Sequence, residues 1–264
     1  MTALINLNQE LAIIEVSGAD ASTFLQGQLT NDITKIPRPG YQLSAHLNNK
    51  GRMLASFIIM QPQENVYYLI TTKEIIDTII PRLKMFVLRA KVTITERSED
   101  TDLDNLLQAA IKGEDDKTNN LPQLISSNDV QTWKTFLITH GIPFIYKNTQ
   151  ELFIPQHLNY DLLDGVSFKK GCYTGQEIVA RTHYLGKVKQ RMYQFTSPHP
   201  IQIGQEVISP KFGNQSIGNI VDTVLDTHGL SIGLVSLRTD CTDSAFIDQD
   251  NTQQLTLLTP LFSF

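Results

Sequence analysis

The residues best equipped for chemistry lie in one stretch, KKGCYTGQEIVAR, from Lys169 to Arg181. Cys172 follows two lysines, Lys169 and Lys170, and sits between Gly171 and Gly175. The segment from Gln176 to His183 reads as a helix, so the sulfur stands just ahead of a helix N-terminus. Cationic neighbours and a helix N-terminus both favour thiolate over thiol. The flanking glycines open turn conformations that other residues avoid. Glu177 falls in the first turn, where an acid is favourable whatever else it does. The competing description is a small buried sulfur kept for packing. Two adjacent lysines are poor company for a core.

The basic character continues past the cysteine. From Lys169 to Arg191 there are six Lys or Arg and one acid, Glu177, in a chain whose net charge is −5. Such a run is either a solvated face or a surface for an anion. An acidic protein of pI near 5.7 lacks the broad basic footprint of a general nucleic-acid binder.

These residues must be positioned by the rest of the chain. Leu11 to Val16 reads as a strand, with Ser17 capping a helix from Ala19 to Gln26. Tyr41–Leu47, Met53–Met60 and Val66–Thr71 read as strands. Lys73 to Leu88 reads as a helix that Pro81 should kink or split, and Val92–Glu96 as a further strand. The acidic, polar stretch at 98–128 reads as a linker. A helix capped by Asn128 or Asp129 runs to Thr139 and ends at Gly141. From Lys187 on, short strands (Gln190–Phe195, Ser216–Leu225, Leu230–Leu237) alternate with glycines and prolines, the texture of a small β-barrel. The chain is thus α+β, with lobes over 1–97 and about 126–186 and a barrel over 187–264.

Hydrophobic residues make up 41% and charged residues 19% of the 264, ordinary values for a globular protein. No apolar run reaches the ~18 residues of a membrane span, and the N-terminus has no signal-peptide pattern. Two cysteines far apart make no disulfide framework, so a reduced, cytoplasmic protein is expected. The six histidines and two cysteines show no CxxC or HxxxH spacing, so no resident metal is expected.

K-G-C-Y-T-G-Q-E, the residues Lys170, Gly171, Cys172, Tyr173, Thr174, Gly175, Gln176 and Glu177, resembles the signature of the YgfZ-type folate-binding proteins, relatives of the glycine-cleavage aminomethyltransferase. GADASTFLQGQLTNDI (18–33), LNNKGRMLASF (47–57) and FIPQHLNYDLLDGVSFKKG (153–171) resemble family segments in the same order. The resemblance implies a three-lobed ring of the aminomethyltransferase type, with residues 1–186 as the folate-binding region. It implies tetrahydrofolate or another folate as ligand, and a role in assembling or repairing iron–sulfur clusters in client enzymes, including those that thiolate tRNA. It implies a functional motif of Cys172 and Lys170, with Arg181 at its end. Cys172 would be a nucleophile, a redox group or a transient cluster contact. Lys170 would tune that sulfur or orient the folate's anionic tail. Trp133, the single tryptophan, matches a folate-site position in WKTFLITHGIP, against the alternative of a core residue. A second folate-contacting tryptophan of the family falls at Leu11 here. The acids that follow K-G-G in the aminomethyltransferases fall at Ala55 and Ser56, which cannot hold a proton as carboxylates do. Aminomethyl transfer is therefore not expected. A folate-dependent one-carbon transferase and a module that binds tRNA directly remain the alternative readings.

Overall fold

The computed structural model describes residues 7–38, 40–97 and 130–262. The expected linker at 98–128, and the helix cap at Asn128 or Asp129, lie outside the described residues.

After a short helix, α1 (Leu7–Glu10), the chain builds an antiparallel sheet from β1 (Leu11–Ser17), β2 (Gln42–Leu47), β3 (Met53–Gln63), β4 (Val66–Thr72) and β5 (Thr93–Glu96). The spatial order is β2-β3-β4-β1-β5. Side chains alternate across a strand, so β1, β3 and β4 each serve two cores. From β1, Ala12, Ile14 and Val16 face one side with Phe24 and Leu25 of α2 (Ala21–Gln28) and Ile76, Ile79 and Leu83 of α3 (Ile76–Lys84). Leu11 and Ile13 face the other, with Trp133, Phe136 and Leu137 of α4 (Val130–Thr139). Covering both faces explains why β3 reads as a nearly unbroken apolar run.

The second half forms another antiparallel sheet: β6 (Gln190–Ser197), β7 (Glu206–Ser209), β8 (Gln215–Leu225), β9 (Ser231–Arg238) and β10 (Thr256–Leu257), ordered β10-β6-β9-β8-β7. The segment around Phe246 closes it. Phe246 exchanges backbone bonds of 2.8 and 2.9 Å with Ile208 of β7. It also bridges Gln254, just before β10. The sheet therefore curls into a barrel around Phe195, Val207, Ile220, Val235 and Leu237. Met192, Val221 and Leu234 point out of the barrel into the core shared with α4.

Two local expectations change. Helix α2 starts at Ala21, because Ser17 is still in β1 and the Asp20 carboxylate accepts from the Lys91 N–H at 2.7 Å rather than capping the helix. Helix α3 follows a 3₁₀ turn at Lys73–Ile75 and ends at Lys84, well short of Leu88. Pro81 sits inside the helix without splitting it: its missing N–H leaves only the Asp77 carbonyl without its helical donor, and the Met85 N–H still bonds the Pro81 carbonyl at 3.1 Å. No helix among the described residues is long and apolar enough to cross a membrane.

Candidate functional site

The last helix, α5 (Gln176–Tyr184), begins directly after the cysteine turn. Three segments hold that turn, two of them remote in sequence. The first is 27–31. Lys170 Nζ donates to the carbonyls of Leu29 (2.7 Å) and Asn31 (2.8 Å), and the Thr174 N–H to that of Gly27 (3.4 Å). The second is 164–167, which leads into the turn. Thr30 Oγ1 donates to the Gly165 carbonyl at 2.7 Å, and the Ser167 N–H to the Thr30 carbonyl at 3.0 Å.

The third is the β2–β3 connection. Asn48 Oδ1 accepts from the N–H groups of Lys50 (2.9 Å) and Arg52 (3.0 Å), which shapes a tight loop with Gly51 at φ +70°. Gly175, at φ +79°, backs onto this loop. A Cβ on Gly175 would stand 2.4 Å from the Asn48 carbonyl oxygen, and one on Gly51 would stand 2.9 Å from Ile178 Cβ. Each glycine admits the other's backbone, in a conformation that side chains avoid. Gly171 differs. Its φ is not positive, and a Cβ there would meet nothing within 4 Å. Of the two glycines beside the cysteine, only Gly175 uses the freedom expected of both.

Within this frame Cys172 is exposed and free, while Cys241 is buried with its Sγ 3.0 Å from Ser209 Oγ. A thiol-alkylating probe at neutral pH should therefore label Cys172, and label Cys241 only as the protein unfolds. Peptide mapping of the labelled sites reads this directly, and faster labelling of Cys241 in the native protein contradicts it. Tyr173 is buried, and Lys170 Nζ lies 5.1 Å from the centre of its ring. Burial pushes the Tyr173 phenol up. Gln176 begins α5, Glu177 is exposed in its first turn, and Arg181 is exposed in its last.

Lys170 is placed as an anchor. Burial lowers its pKa to about 8, against an opposing pull from Asp32. The folded chain then releases this proton before the unfolded chain does, so Lys170 makes stability rise as pH goes up through 8. Above about pH 10 the unfolded tyrosines ionise first and reverse the trend. Relative to Lys170→Met, the wild type should gain about 1–2 kcal/mol between pH 8 and 10 in urea titrations. Equal slopes for the two proteins would contradict this.

Beside the turn lies a residue that the sequence did not single out. His46 of β2 is fully buried, donates from Nδ1 to the Gln28 carbonyl (3.0 Å), and accepts at Nε2 from Arg82 Nε (3.3 Å). Burial first, then the Arg82 charge, lower its pKa to about 4 despite the carbonyl bond. It is a neutral hydrogen-bond relay joining β2, α2 and α3 behind the cysteine turn. Its only sequence signal is a histidine between the apolar Ala45 and Leu47 of a strand.

Trp133 and Leu11 share the core between the first sheet and α4, at 2% and 5% exposure. Leu11 packs within it. The Trp133 Nε1–H is buried without an acceptor among the described residues. Next to it in sequence, Lys134 pairs with the buried Asp222 at 2.9 Å, and Tyr146 donates to the same carboxylate at 2.8 Å. The positions matched to the paired acids are both buried. Ala55 packs in the core with α2, and Ser56 Oγ accepts from the Ile145 N–H at 2.8 Å. Among the described residues no group of three or more His, Cys, Asp or Glu could hold a metal ion.

The same architecture is found in a solved structure, the glycine cleavage system aminomethyltransferase T from Bartonella henselae. The TM-score is 0.67 at 11% identity, covering 96% of this chain and 84% of that one. A family model described as the GCVT N-terminal domain matches residues 3–113. The fold is therefore of the aminomethyltransferase type, α+β with a C-terminal barrel. The tRNA-modifying protein YgfZ of Photobacterium profundum is 31% identical over 90% of this chain and 84% of its own length. The YgfZ of Serratia proteamaculans is 31% identical over 70% and 68%, and an uncharacterized Haemophilus influenzae protein is 32% identical over 78% and 79%. The chain belongs to the YgfZ family.

Proposed function

We propose that this protein is a cytoplasmic, folate-binding factor that supports iron–sulfur cluster assembly or repair in client enzymes and, through them, tRNA modification. The observation that carries this reading is the exposed Cys172, held on a turn fixed by Lys170, Gly175 and the 27–31 segment. Such a sulfur is presented to a partner, as a group that handles a client's cluster or its sulfur chemistry must be. The name of the Photobacterium relative supports tRNA modification as the outcome.

Folate is proposed at the Trp133 side of the shared core. The orphaned indole N–H fits a ligand that brings a hydrogen-bond acceptor, as a pterin's ring nitrogens and carbonyl do. Bound tetrahydrofolate would supply a carrier for one-carbon units. Trp133 would orient the pterin through its ring and N–H. Ala55 and Ser56 offer no acid or base at the positions matched to the aminomethyltransferase acids, so glycine-cleavage aminomethyl transfer is not part of this proposal.

Two measurements test the reading. In cells lacking the protein, wild type should restore thiolated tRNA nucleosides, measured by mass spectrometry, and Cys172→Ser should not. Full restoration by a stably expressed Cys172→Ser protein would sink the role of the sulfur. For the ligand, tetrahydrofolate should quench the single tryptophan's emission. Trp133→Phe, which keeps a ring but loses the donor, should bind about 3–10-fold more weakly by calorimetry. Unchanged affinity would remove Trp133 from the site. Trp133→Ala is the poorer probe, because truncating a buried tryptophan costs about 3–5 kcal/mol of stability by itself.

A further inference from the structure

The six cations between Lys169 and Arg191 do not form one face. Lys170 is buried against carbonyls, and Arg191 is locked to Asp161 by bonds of 2.7 and 3.0 Å. Lys169, Arg181, Lys187 and Lys189 remain, all exposed, and none of them is in an ion pair among the described residues. A cation in the last turn of a helix complements the helix dipole, which accounts for Arg181. It does not account for Lys187 and Lys189, which lie beyond the helix end.

Aromatic rings stand among these charges. The His183 ring lies parallel on Phe168, with centroids 3.7 Å apart and planes 13° apart. Tyr184 meets both rings edge-on, at 4.7 Å from His183 and 6.2 Å from Phe168. Tyr184 is 65% and Leu185 84% exposed. A large aromatic left open to water beside free cations is the combination that holds unpaired nucleotides, with rings taking bases and cations taking phosphates. An acidic protein partner would use the cations and leave the stacked rings without a purpose.

Resting on the proposed role in tRNA modification, we propose that the C-terminal end of α5 and the loop after it bind single-stranded RNA directly, with Tyr184 and the Phe168–His183 stack as the base platform and Arg181, Lys187 and Lys189 as the phosphate contacts. The protein would then touch the RNA itself, with Phe168 of the platform four residues before Cys172 in the chain.

The test is a fluorescence-anisotropy titration with a labelled unpaired RNA of about 12 nucleotides, the same strand in a duplex, and poly-glutamate. Wild type should bind the unpaired strand best, with log K falling as log salt rises. Replacing Arg181, Lys187 and Lys189 by Gln should flatten that slope by about 2, at ~0.7 per single-strand phosphate contact. Tyr184→Ala should bind about tenfold more weakly with the slope retained. All four residues are exposed, so each variant should melt as the wild type does; should Tyr184→Ala melt early, Tyr184→Leu takes its place in the same comparison. Absence of RNA binding at low salt overturns the proposal. So does equal binding of duplex and single strand without an effect at Tyr184, and so does tighter binding of poly-glutamate. If RNA binding fails while wild type, but not Cys172→Ser, still restores tRNA thiolation in cells, this surface is wrong and the client-enzyme reading stands.

Discussion

Taken from pH 7 to pH 4.5, the folded protein should lose about 5 kcal/mol of stability from two histidines alone. His46 and His157 both have pKa values lowered to about 4, chiefly by burial, with nearby arginines adding to it. For His157 those charges are Arg52 and Arg191, and its Nδ1 is buried without a partner among the described residues. An unfolded histidine takes up its proton near pH 6.5. Between 6.5 and 4 the unfolded chain therefore binds more protons than the folded one, and stability falls as pH falls. The loss is comparable to the whole stability of many domains, about 5–15 kcal/mol. Asp32, lowered first by its bond to Thr34, adds its own loss only below its ordinary carboxylate range. Urea unfolding at pH 7 and 4.5 measures the slope. His46→Gln and His157→Gln should each flatten it by roughly half. A slope unchanged in both variants would mean that neither imidazole is held neutral.

The other large effect is expected at Gly175. Gly175→Ala puts a side chain at φ +79° and 2.4 Å from a backbone oxygen. Left-handed backbone costs a non-glycine about 1–3 kcal/mol, and overpacking a similar amount, so a loss of about 2–5 kcal/mol is expected. The cysteine turn should loosen with it, and Cys172→Ser and Gly175→Ala should fail alike in cells. Gly171→Ala, only four residues away, meets open space at an ordinary φ. It should leave stability within about 1 kcal/mol, read from the same urea melts. If the two alanine variants are equally stable, the contact between Gly175 and the Asn48 loop is not a structural requirement.

This pair shows where sequence reading reaches its end. Gly171 and Gly175 look equivalent beside a cysteine, and only the third-segment contact, from Asn48 and Gly51, separates them. Lys170 is a similar case. Beside Cys172 in sequence, it reads as a charge available to the sulfur or to a ligand. Its partners are carbonyls 139 and 141 residues away, which no local pattern announces. The exposure of Cys172 was legible, because lysine and glycine neighbours argue against a core position. Strands β1 to β4 were legible from their apolar runs, as was the end of α4 at Gly141, which has φ +65°. The end of α3 was not, because the apolar stripe from Ile75 to Phe86 continues past Lys84, where the helix stops. His46 was missed for a related reason: its partners, Gln28 and Arg82, come from other elements.

The closure of the barrel through Phe246 also bears on how this molecule keeps to itself. An open sheet ends in a row of unmatched amides and carbonyls, which invites a strand from another chain. Here the outermost strands of the second sheet, β7 and β10, are joined through residues 245–247 and 253–255, which among the described residues leaves less edge open to another chain. In the first sheet, outer strand β5 is only four residues long and carries Glu96, both features that discourage pairing. A partially folded chain in which residues 245–255 have detached would uncover the edges of β7 and β10 and should be the form most prone to aggregate.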